Sequence, residues 1–134
     1  KINKNWIIII TEKRKEKNSV TSLEITTKAV AALEDKKAIN VKVIDISQIS
    51  VIADYFIIAS GSNINQVQAL SDNVLDELAK NDVHPNQTEG YNTANWILMD
   101  YNDVIIHIFN QEDRLFYDLE RIWRDGKAVE LPIE

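Results

Sequence analysis

Residues 95–109, NWILMDYNDVIIHIF, constrain the fold more than any other stretch of the chain. Two apolar runs, residues 96–101 and 104–109, are separated only by Asn102 and Asp103. Adjacent Asn and Asp suit a two-residue hairpin turn, because both tolerate left-handed backbone geometry. A hairpin with one face on a core and one in water alternates apolar and polar residues. This hairpin is apolar at nearly every position, yet it carries Asp100 and His107. With the turn at residues 102 and 103, Tyr101 pairs with Val104, Met99 with Ile106 and Ile97 with Ile108, and paired residues share a face. One face is then Ile97, Met99, Tyr101, Val104, Ile106 and Ile108, wholly apolar and fit to receive helices. The other is Trp96, Leu98, Asp100, Ile105, His107 and Phe109. It is mixed, with a large aromatic at one end. Such a face is either buried within the domain, with Asp100 and His107 satisfied locally, or open as a docking surface.

Around the hairpin the chain switches between helical and extended periods. Ser22 or Thr21 can cap a helix whose apolar positions are Leu23, Thr26 or Thr27, Val30 and Leu33. Residues 39–47, INVKVIDIS, alternate as a strand. Residues 54–62, DYFIIASGS, form a continuous apolar run ending in Gly and Ser, as a strand buried on both faces would. Val67, Leu70, Val74, Leu75 and Leu78 line one stripe of a second helix over residues 63–81. Residues 82–92 carry Pro85 and Gly90 and read as loop. After the hairpin, Leu115, Leu119, Ile122 and Trp123 mark a last helix over residues 111–123, and the end is polar. The order α-β-β-α-β-β-α predicts an α/β fold, a small mixed sheet with helices packed on it.

A chain of 134 residues is expected to form one domain with a sizeable core. Cysteine is absent, which excludes disulfides, thiolate chemistry and Cys-based zinc sites. A cytoplasmic location is expected. No apolar run approaches the roughly 20 residues of a membrane helix. Charge is unevenly placed. Residues 1–20 hold six Lys/Arg against two Glu, and the rest hold nine against nineteen Asp/Glu, so a net of +4 precedes a body of −10. An acidic body repels phosphate backbones and attracts basic proteins. Residues 1–20 combine WIIII with a basic cluster and are expected to lie outside the domain, which would span 21–126 before a tail at 127–134.

Three stretches carry a specific family pattern: ISVIADYFIIASGSNINQVQALSDNV, EGYNTANWILMDYNDVIIHIF and RLFYDLERIW. In this order they closely resemble the ribosomal silencing factor family, also called the RsfS or Iojap family. The matching features are the ADYFIIASG strand, Gln66 in the next helix, Glu89 and Gly90 before the hairpin, Trp96 with Asp100, His107 in the second hairpin strand, and the Arg114 to Trp123 segment. The resemblance covers residues 21–124. Asn102 stands where many relatives have Gly, and Asn is the best substitute for Gly at positive φ.

The resemblance implies a fold like a nucleotidyltransferase without catalytic residues. It also implies a function: binding the large ribosomal subunit through its fourteenth protein, which blocks joining of the small subunit and represses translation. The acidic body is consistent with a basic ribosomal protein as partner. Docking is then the expected role of the mixed hairpin face. The expected partner-binding set is Trp96, Leu98, Asp100, Ile105 and His107, with Tyr101 and Asp103 at the turn. A face left open in the free protein also predicts a weak homodimer. No sequence-specific contact with nucleic acid and no membrane contact are expected.

The alternative is a nucleotidyltransferase-like enzyme acting on nucleotides with Mg²⁺. SGSN at residues 60–63 joins a strand to a helix, where a phosphate could sit. Such an enzyme also needs two carboxylates at i and i+2 on a neighbouring strand to hold the metal. Asp100 has Leu98 and Asn102 at those spacings, and Asp103 lies across the turn. No catalytic role, cofactor or metal is therefore expected. His84 precedes Pro85 in a polar loop, and His107 has no second His at ligand spacing. Asp45, Asp54 and Asp72 are spread over separate elements, and Ser60 and Ser62 have no base motif beside them.

Overall fold

Thr21 precedes the first helix of the described residues. In the computed structural model, which describes residues 20–112 and 127–128, it caps helix α1, Ser22–Asp35. The Thr21 hydroxyl accepts from the Glu24 N–H, and the Glu24 carboxylate accepts from the Thr21 N–H, both at 3.1 Å. This reciprocal pair is a capping box, and its hydrogen bonds hold the Glu24 carboxyl below its ordinary value. The buried stripe of α1 is Ile25, Thr26, Ala29, Val30, Ala32 and Leu33. Leu23, expected on that stripe, points outward instead. The helix ends with Lys37 at φ 63°, where the Lys37 and Ala38 N–H groups donate to the carbonyls of Glu34 and Leu33.

Strand β1, Ile39–Asp45, contains one extra residue relative to its partner, at a bulge where Asn40 takes φ 49°. Strand β2, Tyr55–Gly61, leads into helix α2, Ile64–Ala79. Helix α2 buries Val67, Leu70, Ser71, Val74 and Leu78, while Leu75 at the edge of the expected stripe is exposed. Strand β3, Gln87–Glu89, lies within a stretch that reads as loop from sequence. The hairpin follows as β4, Trp96–Asp100, and β5, Val104–Asn110. A two-residue strand β6, Lys127–Ala128, pairs with β1 at what reads from sequence as the polar end. The last helix expected over residues 111–123 lies, from residue 113 on, outside the described residues, as do residues 1–19 of the expected extension.

The six strands form one mixed sheet in the order β3-β4-β5-β2-β1-β6. Only β2 and β5 run parallel, from Tyr55 opposite Val104 to Gly61 opposite Asn110. These two strands are central, which explains why both read as continuous apolar runs. Helices α1 and α2 pack together and cover one sheet face. Under them lies the main core, including Leu33, Ile57, Ala59, Leu70, Ile97, Met99, Ile106 and Ile108, all fully buried. The opposite face carries a second cluster of Ile44, Ile46, Ala53, Ile58 and Phe109, with Phe56, Trp96 and Ile105 packed at its margin. The sheet therefore has a buried cluster on each face, so the mixed hairpin face, expected to be open for docking, is buried in part.

Candidate functional site

The hairpin register places Met99 opposite Ile106, Ile97 opposite Ile108, Leu98 opposite His107, Trp96 opposite Phe109 and Asp100 opposite Ile105. Asn102 alone in the turn takes positive φ, at 71°. Its N–H donates to Asp100 Oδ1 at 2.8 Å. The Asp103 N–H donates to the Tyr101 carbonyl, and the Tyr101 N–H to that of Val104. The Asp103 carbonyl in turn accepts from the N–H groups of Asp54 and Tyr55, at 2.7 and 3.1 Å. The turn is thus fastened to the start of β2, and one end of the sheet gathers Asp54, Asp100 and Asp103. Desolvation, followed by the charges of Asp45 and Asp54, pushes the Tyr55 hydroxyl up.

The expected partner-binding residues divide by geometry. Trp96, Leu98, Asp100 and Ile105 share the face opposite the helices, and each keeps partial exposure. Asp103 is half-buried at the turn. His107 is on the same face but is only 5 % exposed, set beneath the rings of Phe56, Trp96 and Phe109. Its Nδ1 accepts from Trp96 Nε1 at 3.0 Å. The imidazole proton is therefore on Nε2, which is buried with no hydrogen-bond partner. Burial pushes His107 down to about 4. Tyr101 does not share the face. It is 3 % exposed in the core under the helices, and burial pushes its hydroxyl up to about 12. The half-buried residues are the ones open to solvent, and His107 lies behind Trp96 as its support.

Glu89 and Gly90 are tied to this face by contact. Gly90 has φ +84°, and a Cβ there would sit 2.2 Å from the Trp96 carbonyl oxygen. Only glycine permits both the backbone conformation and the approach. Ala94, fully buried, closes the same loop by donating its N–H to the Gly90 carbonyl at 2.9 Å.

The Gly-Ser-Asn turn is occupied with structure. A Cβ on Gly61 would meet Val67 Cγ2 at 2.8 Å and Val67 N at 2.9 Å, so glycine lets α2 start hard against β2. Asn63 caps α2 by accepting from the Gln66 N–H at 2.9 Å. The Ser62 N–H and hydroxyl both donate to Gln66 Oε1, and Gln66 Nε2 donates to the carbonyls of Lys36 and Lys37. Gln66 thereby joins the start of α2 to the end of α1. The carboxylate of Asp100 is engaged by the turn N–H of Asn102. Among the described residues no cluster of three or more His, Asp or Glu is placed to hold a metal ion. His84 lies 3.1 Å from Asp82 on the surface, and Asp72 accepts from the Tyr91 hydroxyl. Among the described residues no helix is long and apolar enough to cross a membrane.

Sequence reasoning did not single out the loop between β1 and β2. Ile49, Val51 and Ile52 are 53, 68 and 75 % exposed there. The signal was the apolar ISVI run at the head of the first family-like stretch.

The chain matches the family model described as ribosomal silencing factor during starvation over residues 19–134. It is 37 % identical over 103 residues to the ribosomal silencing factor RsfS of Bacillus subtilis, a match covering 77 % of this chain and 87 % of that protein. Identity to the RsfS of Halalkalibacterium halodurans is also 37 %, over 84 % of this chain and 96 % of the relative. The chloroplastic protein Iojap of Arabidopsis thaliana is 30 % identical over 84 % of this chain, which spans 47 % of that longer protein. In three dimensions the chain is similar to a crystal structure from Chromobacterium violaceum, with a TM-score of 0.76 at 30 % identity, covering 86 % of this chain and 95 % of the other. With that family match over most of its length, and the hairpin, Gly90 and Gln66 contacts accounting for the motifs, the chain belongs to the ribosomal silencing factor family.

Proposed function

We propose that this protein acts in the cytoplasm by binding the large ribosomal subunit, through a basic ribosomal protein, the fourteenth of that subunit. Bound there, it keeps the small subunit from joining and represses translation, with no catalytic step. The observation that carries the reading is the hairpin face opposite the helices. Trp96, Leu98, Asp100 and Ile105 present a half-buried aromatic anchor, two aliphatic side chains and a carboxylate on one rigid hairpin. A central apolar anchor with a polar rim is how protein interfaces are built. Asp100 and Asp103 supply the charge that a basic partner recognises. The family relatives bear the name of silencing factors.

Co-sedimentation of the protein with purified large subunits tests the binding, and light scattering of mixed subunits tests the block on joining. Retention on the large subunit and reduced joining are expected. Incorporation of nucleotide from triphosphates with Mg²⁺, without retention, would favour the enzymatic alternative. The same face also favours weak self-association in the free protein. Light scattering of the protein alone at high concentration would show only monomer if that is wrong.

A further inference from the structure

The loop of residues 46–54 is an ordered piece of structure with an apolar tip. Its ends meet where the Ile46 N–H donates to the Asp54 carbonyl at 2.9 Å. Its first turn is closed by the Ile49 and Ser50 N–H groups donating to the Ile46 carbonyl, and the Ile52 N–H donates to the Ser50 hydroxyl. Ile46 and Ala53 are buried in the cluster that holds Ile58 and Phe109 and that Trp96 and Ile105 flank. The loop is therefore rooted in the same sheet face as the hairpin residues. Between these two anchors, Ile49, Val51 and Ile52 are turned to solvent, each more than half exposed. Singly exposed apolar residues are ordinary, but three within four positions on a braced loop form a patch that marks a contact site.

We infer that this loop is a second arm of the docking surface, in which Ile49, Val51 and Ile52 seat against an apolar depression on a basic protein surface. The inference rests on the proposed ribosome-binding reading and extends it to residues outside the hairpin. Through Ile46 and Ala53 the base of the loop shares the cluster that Trp96 and Ile105 flank. Charge selects the occupant. The end of the sheet that carries the loop also carries Asp54 and the turn residues Asp100 and Asp103, linked by the hydrogen bonds of the Asp103 carbonyl. Carboxylates at this end of the sheet disfavour a phosphate backbone and leave contact between copies of a chain of net charge −6 weaker than contact with a basic partner. They favour a protein surface of lysines and arginines around an apolar pocket.

The test is the double variant Val51→Ser/Ile52→Ser, compared with the unaltered protein in thermal melts and in co-sedimentation with purified large ribosomal subunits. Both positions are mostly exposed, so the melting temperature should not move. The expected result is unaltered melting with binding weakened by about tenfold or more, as for loss of interface anchors. Equal binding by variant and unaltered protein would overturn the inference while leaving the proposed function standing. Failure of the unaltered protein to bind would overturn the proposed function and this inference together. If the variant binds normally but has lost self-association seen in the unaltered protein, the patch is a contact between copies and the inference is wrong.

Discussion

The indole N–H of Trp96 donates to Nδ1 of His107 at 3.0 Å, which joins a half-exposed side chain to a buried one across the hairpin. The bond fixes His107 as the neutral tautomer, and burial pushes its pKa from the ordinary 6.5 to about 4. Between those values the unfolded chain holds a proton that the folded chain does not. The stability from the neutral imidazole is thus present above pH 6.5 and is lost as pH falls toward 4. At most this amounts to about 3 kcal/mol. His107→Leu should flatten the dependence of melting temperature on pH across this window. An unchanged slope would mean that the acid sensitivity comes from other groups.

Asp100 has two separable roles. Its carboxylate oxygen closes the turn through the Asn102 N–H, and its charge faces the proposed partner. Asp100→Asn keeps an acceptor oxygen, so melting should change by less than about 0.5 kcal/mol in stability while binding to large subunits weakens. Asp100→Lys removes the acceptor as well and should also cost about 1 kcal/mol of stability. Co-sedimentation at low and moderate salt reads the charge, and melts read the turn.

The Tyr101 hydroxyl is buried under the helices with no hydrogen-bond partner. Removing an unpaired buried polar group relieves its desolvation cost. Tyr101→Phe should therefore leave stability unchanged or raise it by about 1 kcal/mol. Large-subunit binding should persist, because the residue faces away from the proposed docking side. A clear loss of binding with an intact melt would return Tyr101 to the contact set.

Gly90→Ala should be among the most damaging single-atom changes in the molecule. The new Cβ would meet the Trp96 carbonyl oxygen, a backbone atom, at a residue whose φ is +84°. A cost of about 2 kcal/mol or more is expected, visible in melts. Binding should fall with it, since the strand that carries Trp96 would have to shift. A silent Gly90→Ala would show that the loop can move away from the hairpin.

Local patterning made the hairpin readable. A two-residue turn dictates the pairing of Met99 with Ile106 and hence both faces, and the structure has that register. The cap at Thr21, one of two candidates with Ser22, and the stripe of Val67, Leu70, Val74 and Leu78 were readable for the same reason, while the part of Glu24 in the cap was not singled out. Strand β3 was not, because Gln87, Thr88 and Glu89 are polar and exposed, and they are extended only through pairing with β4. Leu23 and Leu75 sit at stripe margins, where a small rotation of the helix decides burial. The bulge at Asn40 depends on a partner strand that sequence periodicity does not see. In the candidate site, the shared face of Trp96, Leu98, Asp100, Ile105 and His107 followed from alternation alone. The depth of His107 did not, since it depends on Phe56 arriving from another strand.

The parallel pair of β2 and β5 has a consequence for how the chain emerges during synthesis. Tyr55 finds Val104 only after the intervening helix and the first arm of the hairpin have been made. Until then the antiparallel pair of β1 and β2 presents Ile57 and Ile58 along an unpaired edge. Closure of such a long loop is slow compared with local hairpin formation. The interval before β5 docks is when a nascent chain of this kind is most open to edge-to-edge aggregation and most dependent on being shielded.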